Sequence, residues 1–595
     1  MTTTTTQFDP ITLENVHQWL NGHYDADAKA EIRQLMQNNP KEILDAFYTT
    51  LSFGTGGLRG IMGVGTNRMN QYTVRAATQG LANYINGQPV IPNKKHAVVI
   101  GYDSRDNSQY FAEEAAKVLA GNEIEVYLFK ELRPVGLVSF GCLFKKCSAG
   151  IMITASHNPP IYNGYKVYWN DGGQVLPPHD KGIIDEVKRI HDNSMVKSTL
   201  LTHPLIHLVT EEFDSAYLKA IEALQLYPND NKQQGHTLKV VYSNLHGTGI
   251  TMIPRTLKNR GFTALVDVDQ QKIPDGKFPT VVSPNPEERQ ALELGIETML
   301  SSQSDLLLAT DPDADRVGVA VSHHGKAVLL NGNEIASLCL EHICKALKDQ
   351  NRMPAKAAFI KTIVTTELFK AIAESYGKPC FDVLTGFKYI AELIRKWETQ
   401  QEGYDYIFGG EESYGCLHGT ETRDKDAVST SALICEVALQ AKMQNKDLVD
   451  LLYDLYTKYG IYKEKLVSVN FEESKTGKEL MDKAMAELRQ NPPKSICGID
   501  VSIVEDYQTS IRSFMNTKNK EQLTLPMSNV LLFWLKDGSK VVVRPSGTEP
   551  KIKLYCGVSK KISKSIDVAD LEKAIAGTDK YADSLLQEMK SVLLK

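Results

Sequence analysis

Ala149-Gly150-Ile151-Met152-Ile153-Thr154-Ala155-Ser156-His157-Asn158 is a short apolar run that stops at a polar loop. The same pattern recurs along the chain. Ala97-Val98-Val99-Ile100 leads into Gly101-Tyr102-Asp103-Ser104-Arg105, and Leu238 to Tyr242 into Ser243 to Gly249. Leu306-Leu307-Leu308 leads into Asp311, and Tyr406-Ile407-Phe408 into Gly409-Gly410-Glu411. A helical stretch usually follows. Short apolar runs alternating with helical patterns predict βαβ units and largely parallel sheets buried on both faces. Ligands of such folds sit at the carboxyl ends of strands, so these loops are where chemistry is expected.

The flanking sequence differs. Over the first fifty residues, Ile32, Leu35 and Met36, then Ile43, Ala46 and Phe47, recur at helical spacing. Thr210 to Leu224 is an amphipathic helix with Phe213, Ala216, Tyr217, Ala220, Ile221 and Leu224 on one face, followed by a polar stretch, Pro228 to His236. Near the end come strand-like Leu466 to Phe471, a helix from Ser474 to Arg489, and further strands. That order predicts an α+β domain. The expected divisions are 1–208, 209–322, 323–459 and 460–595.

Composition excludes several classes. A chain of 595 residues predicts three to five domains, and its 42 % hydrophobic and 23 % charged content argues against disorder, collagen and coiled coil. Net charge is −5, without the basic excess of a nucleic-acid binder. The longest apolar run, Val530 to Leu535, is too short to span a membrane. Met1 to Thr6 lacks the basic region and apolar core of a signal peptide. Nine scattered cysteines without a CxxC read as free thiols of a reducing compartment. The expectation is a cytoplasmic protein with no nucleic-acid or membrane partner.

Four loops carry candidate chemistry. Asp311-Pro312-Asp313-Ala314-Asp315-Arg316 places three carboxylates at alternate positions after a buried strand. Brought together they repel, and hard oxygen ligands of this kind suit Mg²⁺ or Ca²⁺; an exposed acidic turn is the alternative. An EF-hand is excluded, because Arg316 and Ser322 stand where its Gly and Glu would be. In Thr154-Ala155-Ser156-His157-Asn158-Pro159-Pro160, the serine is a nucleophile, a phosphate carrier or a turn residue; it is not a G-x-S-x-G elbow. Arg544-Pro545-Ser546-Gly547-Thr548-Glu549-Pro550 offers an arginine fork, hydroxyls and turn amides suited to a phosphate, or is an ordinary turn. Gly409 to Gly415 offers Glu411 and Glu412 as acceptors for sugar hydroxyls, or is a solvated acidic turn. Leu58-Arg59-Gly60, Ser243 to Gly249 and Thr385-Gly386-Phe387-Lys388 are weaker candidates. The absence of Walker A and G-x-G-x-x-G motifs leaves ATP and dinucleotides without support.

Together, the TASHNP, DPDADR, GEES and RPSGTEP loops resemble the α-D-phosphohexomutase superfamily, in that family's order. The resemblance runs from Phe53-Gly54-Thr55-Gly56-Gly57-Leu58-Arg59-Gly60 to the C-terminal domain, and Asn158 to Tyr168 looks like its longer, phosphoglucomutase-2-like branch. It implies a four-domain, heart-shaped α/β architecture: three mixed α/β domains plus a C-terminal α+β domain around a central cleft.

It further implies that Ser156 is a phosphoserine, and that Mg²⁺ is held by Asp311, Asp313, Asp315 and the phosphate on Ser156. His157 and Arg316 would lie beside the transferred phosphate, with Lys166 and Lys388 as proton carriers or phosphate contacts. Arg59, Glu411 and Ser413 would bind substrate, and Arg544, Ser546, Gly547 and Thr548 its distal phosphate. The sugar loop reads GEES, like glucose-type mutases, whereas shorter phosphomannomutases resemble GEMS more. The implied reaction interconverts glucose 1-phosphate and glucose 6-phosphate through a bisphosphate, with glucose 1,6-bisphosphate as activator, in a monomer or dimer. Phosphopentomutase, phosphomannomutase and bisphosphate-forming synthase activities remain alternatives from the same family. A metal-dependent phosphatase and a non-catalytic sugar-phosphate binder are the alternatives from other classes.

Overall fold

A computed structural model describes residues 8–51, 57–89, 95–401, 403–472, 475–517, 519–546 and 550–594. The expectations for Phe53 to Gly56, Gly547 and Thr548 lie outside the described residues. The chain forms two compact units. The first comprises residues 1–330, 390–403 and 414–442, and the second 331–389, 404–413 and 443–595.

The first unit opens with helices Pro10–Asn21, Ala26–Asn38 and Pro40–Phe47, as the apolar spacing predicts. Each is capped at its N-terminus by a side chain, from Asp9, Asp25 and Asn39. Val16, Trp19, Ile32, Ile43 and Phe47 bury one shared face against Tyr72.

Two sheets follow. The first contains β1 (Gly57–Ile61), β2 (Ala97–Tyr102), β3 (Glu125–Phe129), β4 (Ala149–Ile153), β5 (Tyr162–Trp169) and β6 (Ile206–Val209), in the order β1-β5-β4-β2-β3-β6. The second contains β7 (Val240–Ser243), β8 (Leu265–Asp267), β9 (Leu306–Thr310), β10 (Val317–His323) and β11 (Lys326–Leu330), in the order β11-β10-β9-β7-β8. β2, β4, β7 and β9 are apolar along their length and buried on both faces. They are the strands that the short apolar runs mark, and they lie at sheet centres where both faces are covered.

Both sheets are mixed, which corrects the expectation of largely parallel sheets. β5 runs antiparallel to both β4 and β1, and β10 runs antiparallel to both β9 and β11. In each case the loop with the candidate chemistry is followed by a returning strand instead of a helix. The turn at Ser322 to Gly325 is the hairpin between β10 and β11, so the second sheet continues to Leu330 instead of ending at 322. The polar stretch Pro228 to His236 contains the helix Pro228–Gln234. The helix Ala427–Lys442 belongs to the first unit although the division at 323–459 encloses it. It is buried along nearly its whole length and packs against β9 and β10.

In the second unit, β12 (Ala357–Thr362), β13 (Cys380–Val383) and β14 (Asp405–Gly410) pair in parallel with β12 central. The short strand β15 (Cys416–His418) follows in the first unit. The C-terminal sheet is antiparallel. It contains β16 (Ile461–Asn470), β17 (Ser495–Ile496), β18 (Ile499–Asp506), β19 (Ile511–Phe514), β20 (Lys520–Gln522), β21 (Leu531–Leu535), β22 (Lys540–Pro545) and β23 (Lys551–Lys560). Its order is β16-β23-β22-β21-β18-β19-β20, with β17 paired to β18. The helix Val568–Leu593 packs on β16 and β23 through Ala582, Leu585, Leu586 and Met589. This is the α+β order that the last segment predicts.

The two parts of the second unit share a buried seam. Ile363, Val364 and Leu384 pack with Tyr507, Leu532, Val542 and Tyr555. Lys540 Nζ donates to the carbonyls of Ile363 and Thr365, both at 2.9 Å, and pairs with Glu367 at 2.6 Å. Lys361, fully buried, pairs with Glu367 at 2.9 Å and Asp382 at 2.7 Å.

Glu464 on β16 sits beside this seam. Burial pushes its carboxyl up to about 7, and Thr366, Lys540 and Lys463 offset that only in part. Because the folded-state pKa lies above the unfolded one, the contribution to stability is complete at low pH. It is lost as pH rises from the ordinary carboxylate range through about 7. Glu464→Gln is therefore expected to gain about 1–3 kcal/mol on the wild type between pH 5 and pH 8. Thermal melts of both proteins across that range check this, and parallel pH profiles would contradict it.

Candidate active site

The Ser156 loop leaves the C-terminal end of β4, and the Asp311 loop leaves the C-terminal end of β9. Both lie in the first unit, and the fold brings them into contact. Ser156 Oγ donates to Asp311 Oδ2 at 2.8 Å, and His157 Nδ1 lies 3.2 Å from the same Oγ. Ser156 is 3 % exposed. Its backbone is left-handed, with φ +53°, a conformation that non-glycine residues adopt at a cost of about 1–3 kcal/mol and that clusters at functional sites.

The three aspartates converge as the alternate spacing predicts. Each offers a ligand atom, and these atoms lie within 4.8 Å of one another. Asp311 and Asp313 are fully buried, and Asp315 is 1 % exposed. Asp311 Oδ1 accepts the N–H groups of Asp315 and Arg316, both at 3.1 Å, which curls the loop around its first carboxylate. Neighbouring segments fix the loop backbone. Thr248 donates both its N–H and its hydroxyl to the Pro312 carbonyl at 2.8 Å. Val135 N–H donates to the Asp313 carbonyl at 2.9 Å, and Ala427 N–H to that of Ala314 at 3.1 Å. Gly247 permits this approach, since a Cβ there would lie 2.4 Å from Pro312 Cα. The stretch from Ser243 to Gly249 thus supports the aspartate loop.

Three cations border the carboxylates. Lys166 Nζ, from β5, lies 2.7 Å from Asp313 Oδ2 and 3.6 Å from Asp315 Oδ2. Lys425 Nζ lies 3.1 Å from Asp315 Oδ2. Arg316 lies 3.6 Å from Asp315 Oδ1 and also pairs with Glu287. Asp313 Oδ1 and Asp315 Oδ1 remain buried with no hydrogen-bond partner. Burial first, then Asp315 and Asp313, push the Asp311 carboxyl well above the usual range. Against the burial penalty, Lys425, Lys166 and Arg316 hold Asp315 below it. Orphaned carboxylate oxygens beside a third carboxyl that resists ionisation form a donor set that a hard divalent cation satisfies. Burial, with Arg316 and Arg59 beside it, depresses the His157 pKa, so its imidazole is neutral at neutral pH.

Of the residues singled out in the sequence, Ser156, His157, Lys166, Asp311, Asp313, Asp315 and Arg316 thus meet in one place. Arg59, on β1, reaches this loop through Nη1, 3.4 Å from Asn158 Oδ1.

Lys388, Glu411, Ser413, Arg544 and Ser546 belong to the second unit. Glu411, 4 % exposed at the end of β14, accepts the Gly386 N–H at 2.8 Å. The weak candidate stretch Thr385 to Lys388 is thereby joined to the Glu411 loop. Lys388 Nζ lies over the Tyr389 ring, 5.3 Å from its centre. Arg544 ends β22 beside the Tyr555 hydroxyl, with Glu412 and Glu411 acting on the same group. Ser546 N–H donates to the Lys551 carbonyl at 2.8 Å.

Lys425 was not found by sequence reasoning. Thr422-Arg423-Asp424-Lys425-Asp426 is a polar, charged stretch, yet all five side chains are buried. Asp424 accepts the Tyr168 hydroxyl at 2.7 Å and the Gln174 amide at 2.8 Å, while Asp426 accepts the Tyr217 hydroxyl at 2.6 Å. No local signal sets Lys425 apart, since it lies seven residues beyond the end of the strand Cys416–His418 in a charged stretch.

Three family profiles match the chain: phosphoglucomutase/phosphomannomutase α/β/α domain I over residues 50–194, domain II over 215–325 and domain III over 331–459. A phosphoglucomutase of Staphylococcus epidermidis is 36 % identical over 524 residues, covering 87 % of this chain and 92 % of the relative. One of Staphylococcus aureus is 37 % identical over 541 residues, covering 90 % and 94 %. Solved structures share the fold. Parafusin (phosphoglucomutase) of Paramecium, in its open form, gives a TM-score of 0.64 at 15 % identity, with 90 % of this chain and 96 % of that one covered. A phosphoglucomutase/phosphomannomutase family protein of Burkholderia thailandensis gives 0.62 at 18 %, with 90 % and 97 % covered.

A buried serine facing three aspartates, on this multi-domain α/β fold with a C-terminal α+β domain, defines a phosphosugar mutase, an isomerase of carbohydrate metabolism. The chain belongs to the phosphoglucomutase/phosphomannomutase family. No described helix is long and apolar enough to cross a membrane.

Proposed function

We propose that the chain is a phosphoglucomutase that interconverts glucose 1-phosphate and glucose 6-phosphate, with Ser156 as phosphoryl carrier. The observation that carries this is Ser156 Oγ, buried, on a left-handed turn and 2.8 Å from Asp311. In the forward half-reaction the bond from phosphorus to Ser156 Oγ breaks. A new bond forms to a sugar hydroxyl, and the proton of that hydroxyl passes on balance to the released Ser156 Oγ, giving glucose 1,6-bisphosphate. The bisphosphate turns, and Ser156 Oγ takes the other phosphoryl group. Ser156 ends phosphorylated as it began and glucose 1-phosphate leaves as glucose 6-phosphate, so no net water or phosphate is consumed.

Asp311, Asp313, Asp315 and the group on Ser156 would hold Mg²⁺, which would supply positive charge at the phosphoryl oxygens when bound. Lys166 and Lys425 take the Oδ2 atoms of Asp313 and Asp315, and the Oδ1 atoms, buried without a hydrogen-bond partner, are left for a cation. His157, Arg316 and Arg59 border the transferred group. Glu411 and Ser413 would contact the sugar, Lys388 would carry a proton or contact a phosphate, and Arg544, Ser546, Gly547 and Thr548 would hold the distal phosphate. Glucose 1,6-bisphosphate would activate the enzyme by phosphorylating a free Ser156.

The test is a coupled assay on glucose, mannose and ribose 1-phosphates with the bisphosphate and Mg²⁺ present. Fastest formation of glucose 6-phosphate supports the proposal. A faster mannose or ribose reaction replaces it with the corresponding mutase, and release of inorganic phosphate replaces it with a phosphatase.

Arg544 gives a separate prediction. A guanidinium gripping a phosphate dianion makes charge-assisted hydrogen bonds worth about 1.5–3 kcal/mol. Arg544→Ala should cost about 10–150-fold in kcat/KM. Arg544→Lys should recover part of this, because an ammonium lacks the planar fork. Wild-type kcat/KM in Arg544→Ala would remove this loop from the site.

A further inference from the structure

We infer that Arg105 is a positioning residue for phosphoryl transfer, which fixes the left-handed turn of Ser156 by gripping the carbonyls of its loop. The inference rests on the reading of Ser156 as carrier. Arg105 follows β2, the strand beside β4, and is 3 % exposed. One guanidinium serves four carbonyls of the serine loop. Nη2 donates to Ser156 O at 2.6 Å and to Asn158 O, and Nη1 to Pro159 O at 2.8 Å and Tyr162 O at 3.1 Å. These four carbonyls span the segment that links β4 to β5, so a planar cation at their centre sets its curvature.

A second layer fixes the guanidinium. Its Nε lies 3.2 Å from Asp103 Oδ2, and both side chains are inaccessible to solvent. Asp103 also accepts the hydroxyls of Ser108 and Thr154, each at 2.7 Å. The Thr154 hydroxyl oxygen in turn accepts the Ser156 N–H at 2.9 Å. Asp103 therefore holds the serine turn from both sides, through Arg105 at the carbonyl of Ser156 and through Thr154 at its amide. The Phe278 ring covers the guanidinium, with its centre 4.9 Å from Cζ, and closes the remaining face. The hydrogen bonds of Ser156 Oγ go to Asp311 and His157, not to these groups. Their effect is on where Ser156 Oγ points, and misplacement of a reacting group by about 1 Å can cost on the order of 100-fold in rate.

The test compares Arg105→Lys with the wild type. Lysine keeps a cation opposite Asp103 but cannot span four carbonyls. Expected are retained circular dichroism, KM for glucose 1-phosphate within about twofold, and kcat lower by about 10–100-fold per phosphorylatable enzyme, counted by intact mass after incubation with the bisphosphate. Thr154→Val leaves the Arg105–Asp103 pair in place and should lower kcat with the same pattern. The double variant should fall less than the product of the two, because both act through Asp103. Where Arg105→Lys does not fold, Thr154→Val alone decides. Wild-type kcat per phosphorylatable enzyme in the folded variants overturns the inference and reduces the cluster to a folding element. Ser156→Ala separates the two readings. Activity retained there sinks the carrier assignment itself, whereas an inactive Ser156→Ala beside a fully active Arg105→Lys sinks only the positioning role.

Discussion

Ser156→Ala is expected to fold as the wild type does and to lose mutase activity by about 10⁴-fold or more, the scale on which removal of a covalent nucleophile acts. The side chain makes two hydrogen bonds, to Asp311 and with His157, and its loop is fixed through backbone groups and Thr154. The loss of stability should therefore be small beside the loss of rate. Two measurements are needed together. Steady-state kinetics with the bisphosphate supplied should show the collapse of kcat, and intact mass should show one added phosphoryl group on the wild type and none on the variant. If the wild type never carries a phosphoryl group, even after incubation with glucose 1,6-bisphosphate, the assignment of Ser156 is wrong.

The second large effect concerns the aspartates. Asp313→Asn keeps the shape of a fully buried side chain while removing one of the three carboxyl groups. Its Oδ2 is the partner of Lys166 at 2.7 Å, and its Oδ1 has no hydrogen-bond partner. The variant should bind Mg²⁺ more weakly and lower kcat by about 10²–10³-fold, the cost of removing one preorganised electrostatic contact to a developing charge. In the wild type, a chelator should abolish activity, and added Mg²⁺ should restore it. Isothermal titration of Mg²⁺ into both proteins separates metal loss from a change in the chemistry. Full activity in excess chelator would dismiss the metal from the reaction.

The parts of this enzyme legible in its sequence are those carried by contiguous segments. β4 and β9 are apolar runs because both faces of a central strand are covered, and the polar residues that follow them must emerge at the strand ends. Apolar patterning alone therefore puts the Ser156 and Asp311 loops at the carboxyl edge of a sheet. The N-terminal helices and the α+β order of the last segment are equally plain, since apolar spacing reports which face is buried.

What pairs with what is less legible. The direction of β5 and β10 depends on the chain turning back immediately after a functional loop, and period-2 or apolar patterning is the same in parallel and antiparallel neighbours. The hairpin at Ser322 to Gly325 reads as a boundary because a turn ends a strand in either case.

Local sequence carried the candidate chemistry, a serine, three alternating carboxylates and the loops proposed for sugar and phosphate, each within a few residues of chain, and the resemblance of the four loops to one superfamily gave them their expected roles. Tertiary structure alone decided which charges meet them. Lys425 comes to Asp315 because the helix Ala427–Lys442 packs against β9 and β10, and Arg105 comes to the Ser156 loop because β2 lies beside β4. A charged residue in a polar stretch has the same local pattern whether it ends in solvent or in a buried pair. The difference lies in the desolvation that a distant segment imposes, and that is settled only when the segments pack.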